Sequence, residues 1–411
     1  MIHLAQEYLK TRSLAQLRLE HGIKSSAKPG DRFFSLNYDQ IESKAGPMVN
    51  QCRGVILGLP FPLTEAQVSG DEPLGATFIM ARPFDRFFNL GDSNAAPVDM
   101  DDPETVFFEK LDGTLCILYF NGILGKWCVA TRAVPLADKP MSGWDDLTFR
   151  GLFEKALCET LIRANWIDPQ SNPSVCFDNW TRHLSPDRTF MFELTTPLNR
   201  IVVEYKDYTV TLLGIRDTQS GEEFSMAKFG ADFARVPVCI SHKLNNQKEL
   251  LEFVGSKPPF EQEGIVVLGK AGRVKVKSLA YMAFNRVRDS SANSPRAIVS
   301  LILEEQLDDV LPVLELYVQA QAVKIQDALR ELFKTVDQTY LEIFAEIQGQ
   351  ENQRKAFALA VQARKAWMSP LMDRFSGKCV DFADYLQKRK SPEGGYPDGL
   401  LDSILSQCNI A

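Results

Sequence analysis

The sequence predicts an α+β protein, in which a β-rich region is followed by an all-α region. From about residue 50 to 280, short runs of β-branched and aromatic residues alternate with Gly, Pro, Asn and Asp, a pattern typical of strands joined by turns. After about residue 297 the pattern changes, because residues 313–348 contain no Gly or Pro and their apolar residues recur at a helical period. With 45% hydrophobic residues and 26 Phe, the chain can bury a sizeable core, which argues against disorder.

The predicted elements follow from these patterns. The predicted strands are VFFEK, LCILYF, WCVAT, TFMFEL, RIVVEY, YTVTLLGIR, EGIVVLG and RVKVKS. One helix is predicted among them, over residues 152–165, and the first residues, MIHLAQEYLKTRSLAQ, indicate an amphipathic helix rather than a signal peptide. Further helices are predicted at 313–348, about 54 Å long, and at 352–368 and 378–390. Since 290–295 is the best hinge candidate, we expect two domains, residues 1–290 and 291–411.

Composition excludes several classes of protein. No apolar run reaches the roughly 18–20 residues that span a bilayer, so no transmembrane segment is expected. Eight Cys without CxxC spacing make a zinc ribbon or a thioredoxin-like site improbable, and four His without ligand spacing make a dedicated histidine metal site improbable. The formal net charge of −7 argues against coating of nucleic acid through bulk charge. However, residues 270–296 carry a local charge of +6, which indicates either a polyanion site or a surface strand with solvated charges.

The candidate chemistry centres on Lys110-Leu111-Asp112-Gly113, between the runs VFFE and LCILYF. A lysine at a strand end beside a tight turn can act as a covalent nucleophile once it loses its proton. Alternation in RVKVKS places Lys275 and Lys277 on one strand face, where two cations could lower the pKa of a neighbouring lysine. Taken alone, the motif is weak, since a hairpin turn with a surface lysine is the simple alternative. P-loop, GxGxxG and GxSxG motifs are absent.

Companion motifs accompany this lysine in a fixed order. They are Arg53-Gly54, the segment RPFDRFFN at 82–89, Ala130-Thr131-Arg132, Phe192-Glu193 followed by NRIV at 199–202, Glu263-Gly264, and Lys275-Val276-Lys277-Ser278. In this order and at these spacings, the motifs resemble those of the bacteriophage RNA ligase 1 family, which belongs to the covalent nucleotidyltransferases. For six of the motifs, namely RG, RPxxRFFN, KxDG, FE(x)5NRIV, EG and KxKS, the probability of joint agreement by chance is very small.

The resemblance implies roles for individual residues. Lys110 would be the nucleophile that attacks the α-phosphate of ATP. Residues placed near the nucleotide are Arg53, Arg86, Phe88, Asp112, Gly113, Arg132, Glu193, Glu263, Lys275 and Lys277. Metal contacts are implied for Glu263, Asp308 and Asp309, and substrate contacts for Arg200 and Tyr281.

Some positions depart from the family pattern. Arg86 and Arg132 stand where lysine is common, which keeps the charge but changes the hydrogen-bond geometry. Ile265 replaces an aromatic residue, so a stacking role there has no support. The alternative to a metal contact for Asp308 and Asp309 is that they lie in the acidic N-terminal turn of a helix, where the helix dipole favours negative charge.

The fold implied by the resemblance is a nucleotidyltransferase (ATP-grasp-like ligase) domain. It would contain antiparallel sheets with flanking helices and a cleft between sheets over residues 1–290, followed by the helical domain at 291–411. The implied function is ATP-dependent joining of RNA 5′-phosphate and 3′-hydroxyl ends through lysyl-AMP and RNA-adenylate, with Mg²⁺ or Mn²⁺. We expect a monomer without membrane contact, acting in RNA repair, with tRNA a candidate substrate, in the cytoplasm of a cell or a phage-infected host.

Three alternatives remain open from the sequence. The first is another covalent nucleotidyltransferase, a DNA ligase or a capping guanylyltransferase, which shares KxDG. Testing whether the protein uses ATP or GTP would distinguish a guanylyltransferase from an RNA ligase. An RNA-binding module would not need Lys110. The third is a protein with the same fold but an inactive site. The full set of acids and lysines argues against this alternative.

Overall fold

The computed structural model describes residues 3–39, 42–141, 144–199, 203–226, 232–257, 261–278, 294–304, 307, 316–390 and 396–410. The chain forms two compact units, residues 1–285 and 286–411. The predicted domains, 1–290 and 291–411, place this boundary five residues later. The roles assigned to the two domains stay predictions.

The first sheet is built from the N-terminal part of the chain. Its antiparallel strands are β1 (Ile23–Ser25), β2 (Phe33–Tyr38), β3 (Arg53–Gly58) and β4 (Phe78–Ala81), and the nearby helices are α1 (Leu4–Leu9), α2 (Leu14–His21), α3 (Pro47–Gln51) and α4 (Glu65–Ser69). The prediction of one N-terminal helix is wrong. Ser13 starts a second helix with a capping box, in which its hydroxyl accepts from the Gln16 amide and the Gln16 side chain accepts from the Ser13 amide.

The second sheet forms a large hydrophobic core with its helices. Its antiparallel order is β12 (Thr209–Asp217), β11 (Arg188–Thr195), β7 (Thr114–Asn121) and β8 (Lys126–Ala130). Helices α5 (Phe149–Arg163) and α6 (Pro173–Thr181) pack on it, which confirms the helix predicted at 152–165. Phe153, Trp180 and Phe192 are fully buried between helices and sheet.

The third sheet carries the candidate nucleophile. Its order is β15 (Ser241–His242), β6 (Val106–Lys110), β16 (Gly264–Gly269), β17 (Gly272–Lys277) and β5 (Phe88–Asn89), and helix α7 (Gln247–Gly255) packs nearby. Neighbouring strands are antiparallel except the short β5–β17 pair. Val274 and Val276 are buried, whereas Lys275 and Lys277 lie on the opposite face, as the alternation predicted. Two small antiparallel pairs complete the strands, β9 (Pro140–Met141) with β10 (Trp144–Thr148) and β13 (Asp232–Phe233) with β14 (Val236–Pro237).

One predicted strand is not formed in its described part. Residues 203–205, the end of RIVVEY, are irregular, because the Val203 amide donates to the Asp112 side chain instead of a neighbouring strand. The remaining predicted strands are present. The prediction of antiparallel sheets with flanking helices is therefore confirmed.

The second unit is helical in its described part. Its helices are α8 (Pro295–Leu303), α9 (Leu316–Glu346), α10 (Gln353–Ala363), α11 (Met368–Phe375), α12 (Phe382–Gln387) and α13 (Asp398–Gln407). The long helix α9 buries Ile325 and Leu329, which confirms the period seen in the sequence. The single helix predicted at 352–368 ends early, because Lys365 adopts a left-handed backbone with φ of 51°. No helix in the described part of the chain is long and apolar enough to cross a membrane.

Candidate active site

Lys110, Glu263 and Lys277 meet at one end of the third sheet. The register places Lys110 opposite Gly264, and Gly264 opposite Lys277, so the three strands end side by side. The Lys110 ammonium lies 2.5 Å from one Glu263 oxygen, and the Lys277 ammonium lies 2.7 Å from the other. A side chain at Gly264 would place its Cβ 2.1 Å from the Val276 carbonyl oxygen. Glycine therefore lets these strands approach closely enough to hold one carboxylate between two cations.

The turn after Lys110 passes from the third sheet to the second. Its Gly113 amide donates to Glu193 Oε1 on β11 at 3.0 Å. A Cβ at Gly113 would lie 2.4 Å from the Leu194 carbonyl oxygen, so the turn packs directly on the β11 backbone. The structure thus brings Lys110, Gly113 and Glu193 together where the two sheets meet.

Burial dominates the electrostatics of Glu193. It raises the pKa of this carboxyl from 4.5 to about 8. Lys110 and Arg53 oppose the rise in pKa, whereas the negative charges of Glu263 and Asp112 add to it. A protonated Glu193 can donate one hydrogen bond while still accepting the Gly113 amide, a combination suited to a ribose hydroxyl.

Asp112 is held by the protein itself. The residue is 3% exposed, and its Oδ2 accepts from the Val203 amide at 2.8 Å. Its own amide donates to the Tyr205 hydroxyl at 3.1 Å. The contacts of Asp112 therefore fix the shape of the nucleophile turn.

Asn199 and Tyr205 contact residues in or next to this turn, although neither was predicted from the sequence to be a site residue. The Asn199 amide group donates to the Leu194 carbonyl at 2.8 Å and to the Thr114 hydroxyl at 3.1 Å, so it joins β11 to the start of β7. Tyr205 supports Asp112. Asn199 belongs to the quoted NRIV run, which was a signal for it, whereas a lone Tyr after a hydrophobic run gave none.

Arg53 begins β3 and lies close to Arg132. Burial lowers the pKa of Arg53 to about 10, Arg132 lowers it further, and Tyr38 and Glu193 oppose this. Its guanidinium lies 5.5 Å from the Phe87 ring centre. Among the described residues, nothing accepts a hydrogen bond from the buried Arg53 Nη1. A buried donor without an acceptor is costly, and an anionic ligand would satisfy it.

The Arg86 side chain makes cation–π contacts with two aromatic rings. The Arg86 guanidinium is 4.9 Å from the Phe88 ring centre and 4.3 Å from that of Tyr38, a further residue that the sequence did not indicate. Phe88 is opposite Val274 in the parallel β5–β17 pair, and Asn89 is opposite Lys275. Phe88 on β5 and Lys275 on β17 therefore lie on neighbouring strands, and Arg86 is in the irregular segment just before β5.

The segment before Arg86 is anchored by ion pairs. Arg216 on β12 donates to Asp85 and to the Pro83 carbonyl, both at 2.8 Å. Arg273 on β17 forms a bidentate pair with Glu223 and lies 4.1 Å from the Phe84 ring centre. These contacts connect the RPFDRFFN segment to two sheets.

The predicted positive patch at 270–296 needs correction. Four of its seven cations are paired with acids outside the segment: Lys270 with Asp102 and Glu104, Arg273 with Glu223, Lys277 with Glu263, and Arg296 with Asp402. Acids outside the segment therefore offset part of its charge, which a count along the sequence cannot show. Arg286 and Arg288 lie outside the described residues.

Four predicted site residues also lie outside the described residues: Arg200, Tyr281, Asp308 and Asp309. In the described parts of the chain, no group of three His, Cys, Asp or Glu could hold a metal ion by itself. Mg²⁺ commonly uses one or two carboxylates together with substrate phosphates and water. The acids near Lys110 fit that kind of shared site better than a closed protein cage.

Sequence comparison decides the family. A family model described as RNA ligase matches residues 52–282. The chain belongs to this RNA ligase family. The match includes Arg53, Lys110, Glu193, Glu263 and Lys277, and it ends before the helical unit. The predicted resemblance to the phage RNA ligase 1 family is thereby confirmed.

Two proteins similar to this RNA ligase family member come from viruses. The chain is 30% identical over 289 residues to a putative bifunctional polynucleotide kinase/RNA ligase of Autographa californica nuclear polyhedrosis virus, covering 67% of this chain and 36% of that protein. It therefore spans about a third of that relative. It is 24% identical over 357 residues to an RNA ligase of Rhodothermus phage RM378, covering 72% of this chain and 77% of the phage protein.

Solved structures give a weaker likeness. An archaeal ATP-dependent RNA ligase, form 2, shares 13% identity at a TM-score of 0.42, with 88% of this chain and 89% of that chain covered. Form 1 shares 12% identity at a TM-score of 0.39, with 85% and 86% covered.

Proposed function

We propose that this chain is an ATP-dependent RNA ligase that joins an RNA 5′-phosphate to a 3′-hydroxyl. The observation that supports this most is the Lys110 amine, which lies where two sheets meet, 2.5 Å from Glu263 and beside the Gly113–Glu193 contact. Membership of the RNA ligase family supports the same activity.

In the first step, the neutral Lys110 amine attacks the α-phosphorus of ATP. A nitrogen–phosphorus bond forms, the bond from the α-phosphorus to the bridging oxygen breaks, and pyrophosphate leaves. The amine must first lose its proton, and Glu263 is the carboxylate in contact with it. Lys277 balances the charge of Glu263 in the free protein, and it can stabilise charge on the phosphate as the bond breaks.

In the second step, an RNA 5′-phosphate oxygen attacks the phosphorus of lysyl-AMP, which returns the lysine and gives a 5′–5′ pyrophosphate. In the third, the RNA 3′-hydroxyl oxygen attacks the terminal RNA phosphorus and AMP leaves. All three steps exchange bonds at phosphates, so the same cations can serve each. Lys275, Lys277 and Arg53, whose buried Nη1 has no acceptor among the described residues, are proposed for this role.

Arg86, Phe88, Arg132, Glu193, Asp112 and Gly113 are proposed to shape the nucleotide site. Glu263 would hold Mg²⁺ or Mn²⁺ together with nucleotide phosphates, and such an ion supplies charge neutralisation on the phosphate oxygens. Asp308 and Asp309 remain candidates for a second ion, and Arg200 and Tyr281 for RNA contacts.

The physiological role proposed is RNA repair, with tRNA a candidate substrate. The name of the baculovirus relative couples an RNA ligase to a polynucleotide kinase, as expected where broken ends are prepared before they are joined. Action by a monomer in the cytoplasm of a cell or an infected host is part of the same proposal.

A label-transfer assay tests the first step. Purified protein is incubated with α-labelled ATP and Mg²⁺ and analysed on a denaturing gel, with GTP in parallel. We expect acid-labile label on the wild type from ATP and none on Lys110→Ala. Lys126→Ala, which changes an exposed lysine at the start of β8, is the matched control and should label normally.

Other outcomes point to the alternatives. Label from GTP in preference to ATP would favour a capping guanylyltransferase. Label from ATP, with joining of nicked duplex DNA but not of RNA ends, would favour a DNA ligase. Absence of label on nucleotide-free wild type, with pyrophosphate removed, would favour an inactive RNA-binding relative.

A further inference from the structure

We propose that Tyr205 is a positioning residue for the nucleophile, acting through Asp112. The inference rests on the proposed function and adds to it a residue outside the recognised motifs. Tyr205 lies in the irregular segment after NRIV, and its hydroxyl oxygen accepts the Asp112 amide at 3.1 Å.

The segment that carries Tyr205 contacts Asp112 at two points. The Val203 amide donates to Asp112 Oδ2 at 2.8 Å, while the Tyr205 hydroxyl receives the Asp112 amide. One contact fixes the side chain and the other fixes the backbone of the same residue. Together they determine the orientation of the peptide group between Leu111 and Asp112, just after the nucleophile Lys110.

The opposite side of the turn is fixed by β11. The Gly113 amide donates to Glu193, and Gly113 packs against the Leu194 carbonyl. The turn is therefore held on both sides, and Tyr205 supplies the contact that no backbone ladder provides. Loss of the Tyr205 hydroxyl would leave the nearly buried Asp112 amide without that acceptor, which favours a shift of the turn.

The Tyr205 hydroxyl keeps its proton across the working pH range. Burial raises its pKa the most, the Asp112 amide lowers it, and the carboxylates of Asp112, Glu193 and Glu263 raise it further. Because it does not titrate near neutrality, its removal should change the rate of reaction and not the shape of the pH profile.

The test is single-turnover adenylylation with α-labelled ATP. Tyr205→Phe keeps the ring and removes the acceptor oxygen. For this variant we expect the rate constant at saturating ATP to fall about tenfold. The apparent KM for ATP should stay within about twofold, and the final fraction of labelled protein and the shape of the pH profile should be unchanged.

Tyr208→Phe is the matched control. Tyr208 is on the same segment, and its ring contacts the Lys155 ammonium at 3.9 Å, away from Asp112. Its rate constant and amplitude should equal those of the wild type. Thermal unfolding of each variant would show whether it is folded.

Two results would overturn the inference. One is a Tyr205→Phe rate constant equal to that of the wild type. The other is a lower labelled fraction at an unchanged rate constant. That result would indicate misfolding, which reduces the amount of active protein, whereas a mispositioned nucleophile reduces the rate constant. In both cases the wild type still labels, so the proposed function stands, whereas an unlabelled wild type would refute both.

Discussion

Glu193→Gln is expected to change how stability depends on pH. In the unfolded chain this carboxyl ionises near pH 4.5, whereas burial keeps it protonated to about pH 8 in the folded protein. Between these values unfolding releases a proton, so the free energy of unfolding of the wild type falls as pH rises. Below 4.5 and above 8, Glu193 adds no further pH dependence. Glutamine has the same shape and stays neutral throughout.

The pKa change sets the size of the effect. A rise from 4.5 to about 8 corresponds to at most about 5 kcal/mol. Lys110 and Arg53 can move towards an ionised Glu193, so we expect about half of this. Relative to the wild type, Glu193→Gln should therefore gain ~2–3 kcal/mol of stability between pH 4.5 and pH 8.

Urea unfolding of both proteins at several pH values across this window measures the difference. Glu222→Gln, at an exposed acid in another part of the chain, is the control and should follow the wild type. A constant difference between wild type and Glu193→Gln at every pH would refute the argument, as would a wild-type stability that declines less with pH than that of the variant.

Two further substitutions test the scaffold of the site. Gly113→Ala should abolish labelling by ATP, since its Cβ would lie 2.4 Å from the Leu194 carbonyl oxygen, whereas Gly122→Ala, with no atom within 4 Å, should label normally. Normal labelling of Gly113→Ala would show that the turn is not tightly packed. Glu223→Gln should lower the free energy of unfolding by ~2–3 kcal/mol, because it leaves the nearly buried Arg273 without its carboxylate. A loss in urea unfolding no greater than that of Glu222→Gln would contradict this.

The sequence predicted the strands and the main catalytic candidates because both depend on local patterns. The alternation in RVKVKS is visible in six residues, and it correctly separated the buried valines from the lysines. The spacing of the motifs around Lys110 indicated the family before any contact was known. Lys110, Glu193, Glu263 and Lys277 are indeed close in space.

Features that depend on contacts between distant residues could not be predicted. The positive charge of Arg273 is balanced by Glu223, fifty residues away in the sequence. RIVVEY has a strand-like composition, yet the Val203 amide is used by Asp112. Likewise, no pattern marks Tyr38 as the ring beneath Arg86. Ser13, in contrast, is of a residue type favoured at helix N-termini. The start of a second helix at this position could therefore have been predicted from the sequence.

Peptide mapping of adenylylated protein tests the central claim most directly. After incubation with ATP and Mg²⁺, the wild type is digested under conditions that preserve the nitrogen–phosphorus bond, and its peptides are analysed by mass spectrometry. The account predicts AMP on Lys110 alone, with Lys126, Lys275 and Lys277 unmodified, and its transfer to RNA when a 5′-phosphorylated strand is added. AMP on another lysine, or RNA joining that persists in Lys110→Ala, would contradict it.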